Sequence, residues 1–193
     1  MLKVSKKMRT GGKTMKRKSL LIGLTLALLS ILIMPVSALA AQPVAFNASG
    51  TISSITTGDV LAAGKSGRWV VQERELCGSL CGDINGDFVL TYKANVDENQ
   101  AGNLAGKLVV GEGAYIMRLN GKSQPMDFVW FEAFGVYLPR LSIDGHWTLT
   151  EGAKGEGNYE AWFVFVPYID EQGNVHVGQI VGSAIVLSGK QQP

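Results

Sequence analysis

The feature that most constrains the fold is a succession of short strand-like segments that fills the chain from residue 41 onward. Each segment is rich in β-branched and aromatic residues, and Gly, Asn or Asp separates it from the next. No helical period lasts three turns after residue 40. The pattern predicts antiparallel sheet, with strands at 44–55, 68–76, 88–94, 104–110, 114–119, 128–137, 141–150, 159–166 and 175–187.

Local patterns predict details of this sheet. Phe88, Leu90 and Tyr92 alternate with more polar neighbours, so they are expected on one face of a strand. Asn120-Gly121 predicts a tight hairpin turn, and residues 170–174 predict a longer hairpin loop. Segment 128–137 is apolar at both odd and even positions, so it is expected to be buried on both faces or to pack against a loop.

Eight or nine strands with short connections have to hide their edges. Closure into a barrel and packing of two sheets are the two ways to do this. Glycines inside the strands suit the bends of a small barrel. The sequence therefore predicts a single antiparallel β-barrel of about eight strands, with a β-sandwich as the alternative.

A glycine–aromatic pattern near the C-terminus resembles a known family. Gly145-His146-Trp147, followed by Gly155-Glu156-Gly157-Asn158-Tyr159, is similar to the hairpin G-x-W-x-(x)n-G-x-G-x-Y/F of the allene oxide cyclase-like and dirigent-like β-barrels. Segment 178–189 is similar to the closing strand of such barrels. The resemblance implies a barrel, and the family includes cyclases and proteins that steer radical coupling. It carries no catalytic residue across to this chain.

The first forty residues have the layout of a secretory signal peptide. Lys16-Arg17-Lys18 precedes an apolar run from Ser19 to Met34, and Ala38-Leu39-Ala40 forms a small-x-small cleavage site. We expect cleavage after Ala40 and a secreted or extracytoplasmic domain over 41–193. An uncleaved segment would instead tether the domain to a membrane. Met1 and Met15 are both possible start residues.

The export segment also accounts for the basic charge of the full chain. Eight of the eighteen Lys and Arg residues lie in residues 1–40, whereas all sixteen Asp and Glu residues lie after them. Ten basic and sixteen acidic residues give the domain a net charge of −6. A nucleic-acid partner requires a basic face, so none is expected. No cofactor is expected, and the oligomeric state is left open.

Cys77 and Cys81 would meet oxidising conditions after export. Four residues along a straight strand separate Cα atoms by ~13 Å, whereas a disulfide needs about 5.5 Å. A bond between them therefore requires a turn at residues 78–80, and the sequence leaves pairing and free thiols as alternatives.

Asp83, Asn85 and Asp87 have the spacing that begins a calcium loop. Such a loop next requires Gly at its sixth position and an acidic residue at its twelfth, where this chain has Phe88 and Ala94. A polar turn is the expected structure, and a weak cation site is the alternative.

Two further sets are candidate functional residues. Glu73 and Glu75 alternate with Arg74, so both would share one strand face, and a carboxylate turned into an apolar barrel could act as an acid or base. Barrels of about eight strands either fill with side chains or hold one small ligand. The aromatic residues expected to line the interior, and with it a ligand site, are Tyr92, Tyr115, Trp147, Tyr159 and Phe163.

Three functions agree with these patterns. The preferred one is a non-enzymatic barrel that binds a small apolar or aromatic molecule. A cyclase or isomerase using Glu73 and Glu75 is the second. A surface or matrix protein that makes contacts through sheet edges and through segment 128–137 is the third.

Overall fold

The computed structural model describes residues 42–56, 58–63, 66–173 and 175–192. They form ten strands: β1 (Val44–Ile55), β2 (Asp59–Ala62), β3 (Trp69–Gly82), β4 (Gly86–Val96), β5 (Gly102–Val110), β6 (Tyr115–Ser123), β7 (Asp127–Phe131), β8 (Val136–Leu149), β9 (Lys154–Ile169) and β10 (Val175–Gln192). None of the described residues forms a helix of the length and hydropathy that a membrane span needs. The predicted signal peptide, residues 1–40, lies outside the described residues.

Eight of the strands close into an antiparallel barrel. Their order is β1-β10-β9-β8-β6-β5-β4-β3, and β1 pairs with both β10 and β3, which closes the ring. The predicted barrel of about eight strands is therefore confirmed. Residues 170–173 of the loop predicted at 170–174 lie between β9 and β10.

The two remaining strands lengthen one end of this barrel. β2 pairs with residues 69–72 of β3, whereas β1 pairs with residues 76–82, so β2 takes over the position of β1 beside β3. In the same way, β7 pairs with residues 136–140 of β8, and β6 pairs with residues 143–149. We call this extended end the open end of the barrel.

Inward-facing apolar side chains fill the interior. Phe88, Leu90 and Tyr92 on β4 are all buried, as their alternation predicts. The core residues among those described are apolar or aromatic, and the largest that are fully buried are Trp147, Tyr159 and Phe46. Burial of such side chains contributes roughly 1.5–3 kcal/mol each.

Trp147 covers two glycines on neighbouring strands. It pairs with Gly157 on β9, and Gly157 pairs with Gly189 on β10. The indole ring itself lies against Gly155 and Gly189, since a Cβ atom at Gly155 would be 3.4 Å from it. A Cβ atom at Gly189 would lie 2.8 Å from the indole ring. The indole Nε1 donates hydrogen bonds to the carbonyl oxygens of Asn158, at 3.1 Å, and Ser188, at 3.2 Å. The glycine–aromatic pattern thus has a structural role, because it fits a large ring into a narrow barrel.

Tyr159 is packed in a similar way, and its position bears on the hairpin turn predicted at Asn120-Gly121. It pairs with Gly145, which pairs with Gly121, and a methyl group at Gly121 would overlap the Tyr159 hydroxyl. Asn120-Gly121 therefore lies inside β6 rather than in a turn, so the predicted hairpin turn there is wrong. Glycine at 121 serves the packing of a ring, not the reversal of the chain.

Segment 128–137 does not form the single strand that is predicted there, with burial on both faces or packing against a loop. It is a hairpin: β7 ends at Phe131, residues 132–135 turn, and β8 begins at Val136. The amide of Gly135, whose φ is 62°, donates to the Phe131 carbonyl at 3.0 Å. Phe131 packs near Gly182 on the outer wall of the barrel. One face of this hairpin is apolar because it contacts the barrel wall. The other face is also apolar, although it is exposed.

Candidate functional site

A cavity of about 590 Å³ lies at the open end of the barrel. Loops and strand ends surround it, and Val60 and Trp69 at its rim are partly exposed. Most of its lining is apolar. The lining residues are Thr56, Gly58, Val60, Trp69, Val71, Arg74, Val96, Gln100, Met126, Leu141, Phe165, His176 and Val177.

A β-bulge in β3 shapes one wall of the cavity. Val71 pairs with Ala94 and Arg74 pairs with Tyr92, so two residues of β3 oppose the single residue Lys93 of β4. Glu73 lies in the bulge and has a positive backbone φ of 53°. A left-handed conformation at a residue with a side chain costs about 1–2 kcal/mol. Such bulges occur at barrel rims and redirect side chains.

The bulge changes which side chains of β3 face the interior of the barrel. Val71 is buried inside the barrel, so strict alternation would turn Glu73 inward and Arg74 outward. After the bulge the inward positions are Arg74, Leu76 and Leu80, of which both leucines are buried. Arg74 is half-buried and lines the cavity. The interior therefore receives a guanidinium group in place of a carboxylate.

Tyr92 lies opposite Arg74 on β4. Burial raises the pKa of the Tyr92 phenol, while the charge of Arg74 and a hydrogen bond with it act in the opposite direction. Gly58, with φ of 60°, lets the chain pass close over the bulge, since a Cβ atom there would lie 3.0 Å from the Arg74 Cβ. Tyr92 thus lies beside the Arg74 guanidinium group, and the backbone of Gly58 lies close to the Arg74 Cβ atom.

His176 provides a second polar group in the lining. Its Nε2 lies 2.7 Å from Asp170 Oδ2, and its ring stacks on Tyr168 with 5.1 Å between centroids. Asp170 Oδ1 accepts a hydrogen bond from the Gln172 amide at 3.0 Å. The loop at 170–173 therefore fixes the carboxylate, and the carboxylate fixes the imidazole at the mouth of the cavity.

The two predicted glutamates are not in the cavity. Glu73 is exposed, and Glu75 is half-buried on the outward-facing side of β3, where its amide bonds to the Thr56 hydroxyl. The expectation that they could turn into the barrel fails because the bulge changes the alternation between Val71 and Arg74.

The predicted aromatic residues lie in the interior but do not line the cavity. Trp147, Tyr159 and Phe163 are at most 2 % exposed, Tyr92 is buried and Tyr115 is half-buried. They form core beneath the cavity. The aromatic rings in its lining are instead those of Trp69, Phe165 and His176.

The cysteines and the acidic turn have structural explanations. Cys77 and Cys81 are free thiols on the continuous strand β3, so the turn that a disulfide would require is absent. Asp83 accepts a hydrogen bond from the Asn47 amide at 2.7 Å, and the Asn85 amide group bonds to both backbone groups of Gly82.

This is the polar turn that was expected at 83–87. Asp87 follows at the start of β4. In the described part of the chain, no three His, Cys, Asp or Glu side chains come together as a metal site would require.

Sequence reasoning missed Arg74 and His176. One clue to Arg74 is the spacing of the inward residues Val71 and Leu76, which is odd and therefore incompatible with an unbroken strand. His176 has no comparable clue, because its contact with the cavity depends on how the β9–β10 hairpin folds over the open end.

Comparisons with family models, with curated proteins and with solved structures found no match to this chain. The resemblance to allene oxide cyclase-like and dirigent-like barrels therefore stays a prediction.

Proposed function

We propose that this protein binds a small, mainly apolar molecule in the cavity at the open end of its barrel. The observation that carries the proposal is a 590 Å³ cavity with mostly apolar lining, set above a tightly filled core. Ligand sites usually have volumes of about 300–1,000 Å³ and a few polar groups that orient the ligand. Arg74, Gln100 and His176 supply such groups here.

The alternatives receive less support from the site. The cyclase or isomerase hypothesis depends on Glu73 and Glu75 as the acid or base. Neither residue lines the cavity, so the cavity lacks the carboxylates that this hypothesis requires. The apolar segment at 19–34 supports export of the domain, and we propose that binding takes place outside the cytoplasm.

Binding of a neutral fluorescent probe, N-phenyl-1-naphthylamine, tests this function. We expect one site per chain, with a rise in emission when the probe leaves water. Leu141→Trp would fill the cavity, because Leu141 lines it and is 8 % exposed, and should abolish the rise. Val186→Trp is the matched control, since Val186 faces outward from β10 and is 47 % exposed.

Folding of each variant is checked by circular dichroism and thermal unfolding. Absence of probe binding by the folded wild-type protein would refute the proposed function. Equal binding by folded Leu141→Trp and wild type would place the probe outside this cavity and refute it as well.

A second candidate function is self-association through the β7–β8 hairpin. Phe128, Trp130 and Tyr137 share its outer face and are 60 %, 56 % and 67 % exposed, respectively. Among the described strands β7 pairs only with β8, so its other edge is available to a second copy. Sedimentation should show dimers that Trp130→Ser weakens, and a monomer at all concentrations would rule this function out.

A further inference from the structure

We infer that the ligand of the open-end cavity is an amphipathic anion, whose carboxylate binds Arg74 and whose apolar body lies along the cavity wall. This inference rests on the proposed function and makes it specific. Its starting point is the bulge at Gln72 and Glu73, which turns the basic side chain inward and the acidic one outward. A regular strand would have placed the opposite charge in the cavity.

The surroundings of Arg74 favour a bound anion. Val71, Val96 and Phe165 line the cavity with it, and such apolar walls strengthen electrostatic attraction relative to water. A guanidinium group has five N–H donors in a planar fork that matches a carboxylate. Arg74 keeps partners within the protein, Tyr92 among them, and five donors allow it to contact a ligand as well.

The apolar lining of the cavity indicates that the remainder of the ligand is apolar. Arg74 lies on one wall, while Met126, Leu141 and Val177 contribute only apolar surface. A small polar anion such as phosphate would leave that surface in water. A carboxylic acid with an apolar chain satisfies both parts of the site, since its head pairs with Arg74 and its chain is removed from water.

The test compares two competitors that differ only in the head group. Decanoate and decanol are titrated against bound N-phenyl-1-naphthylamine at pH 7.5, where the acid is ionised. We expect decanoate to displace the probe at a concentration at least about tenfold lower than decanol, a difference equal to about 1.4 kcal/mol. Decyl phosphate in a third titration separates a requirement for carboxylate from a general preference for anions.

Variants at Arg74 connect this preference to one side chain. Arg74→Met should bring the decanoate-to-decanol ratio close to one, and Arg74→Lys should give an intermediate ratio because it keeps the charge but loses the fork. Arg118→Met is the control, since Arg118 is exposed between the buried Met117 and Leu119 on β6 and faces outward. It should keep the wild-type ratio.

The outcomes separate this inference from the function on which it rests. Equal displacement by decanol and decanoate, with the probe bound, would overturn the inference and leave the proposed function standing. An unchanged preference in Arg74→Met or Arg74→Lys would overturn it too. Should Arg74→Met fail to fold, the wild-type comparison and Arg74→Lys still decide. A folded wild-type protein that binds no probe would instead refute the proposed function.

Discussion

Replacement of Trp147 by Phe tests how much the packing of the Trp147 indole in the core stabilises the barrel. Trp147 is 0 % exposed, and its indole Nε1 donates to the carbonyls of Asn158 and Ser188. Phe removes the donor, which costs about 1 kcal/mol, and leaves a small void that costs about as much again. A total near 2 kcal/mol corresponds to a fall in melting temperature of about 4–8 °C for a domain of this size.

Thermal unfolding followed by circular dichroism measures this effect. The matched control is Trp130→Phe, because Trp130 is 56 % exposed on the β7–β8 hairpin. Substitutions at such positions usually change stability by less than about 0.5 kcal/mol. A Trp147→Phe protein that melts within about 1 °C of wild type, or no lower than the Trp130→Phe protein, would show that the ring does not support the barrel as described.

Three further outcomes follow from particular side chains. Tyr159→Phe should leave stability unchanged or raise it by about 1 kcal/mol, because the buried Tyr159 hydroxyl has no hydrogen-bond partner among the described residues and burial raises its pKa. A clear loss of stability in urea denaturation would reveal a partner. A hydrogen bond from Arg140 lowers the pKa of Asp127, so Asp127→Asn should cost at most about 0.5 kcal/mol for this exposed pair, and the cost is complete above the unfolded pKa of about 3.9. That cost should vanish as pH falls through the lower folded value, and a cost that persists in acid would contradict the pairing. Thiol titration of the unreduced protein should find two reactive cysteines, with the exposed Cys81 faster than the half-buried Cys77; absence of free thiols would point to a disulfide.

Much of the barrel is predictable from local sequence. Alternation along 88–94 and the polar residues of the loop predicted at 170–174 are properties of neighbouring residues. They match strand β4 and the described residues 170–173 between β9 and β10. A need to hide strand edges also follows from eight strands with short connections, and closure into a barrel is one of the two ways to meet it. These predictions succeed since each depends on a few adjacent residues.

The failures share a physical cause, which is contact with a distant part of the chain. Asn120-Gly121 is compatible with a turn, but Tyr159 requires glycine at that place inside a strand. The hairpin at 127–140 is apolar because Phe131 covers the outer wall near Gly182. Neither partner is visible from the local pattern.

The candidate site is the least predictable part for the same reason. A single extra residue in β3 reverses which of Glu73 and Arg74 faces inward, and the sequence shows this only as an odd spacing between Val71 and Leu76. Alternation assigns side chains correctly within each half of β3. It fails across the bulge, which lies beside the cavity.

A crystal structure of the protein with 10-bromodecanoic acid, measured at the bromine absorption edge, would test the proposed site most directly. We predict one anomalous peak inside the open-end cavity near Leu141 and Val177, with the carboxylate on the Arg74 guanidinium. A peak outside the barrel would contradict this prediction. A structure in which β3 has no bulge and the Arg74 side chain faces solvent would contradict it as well.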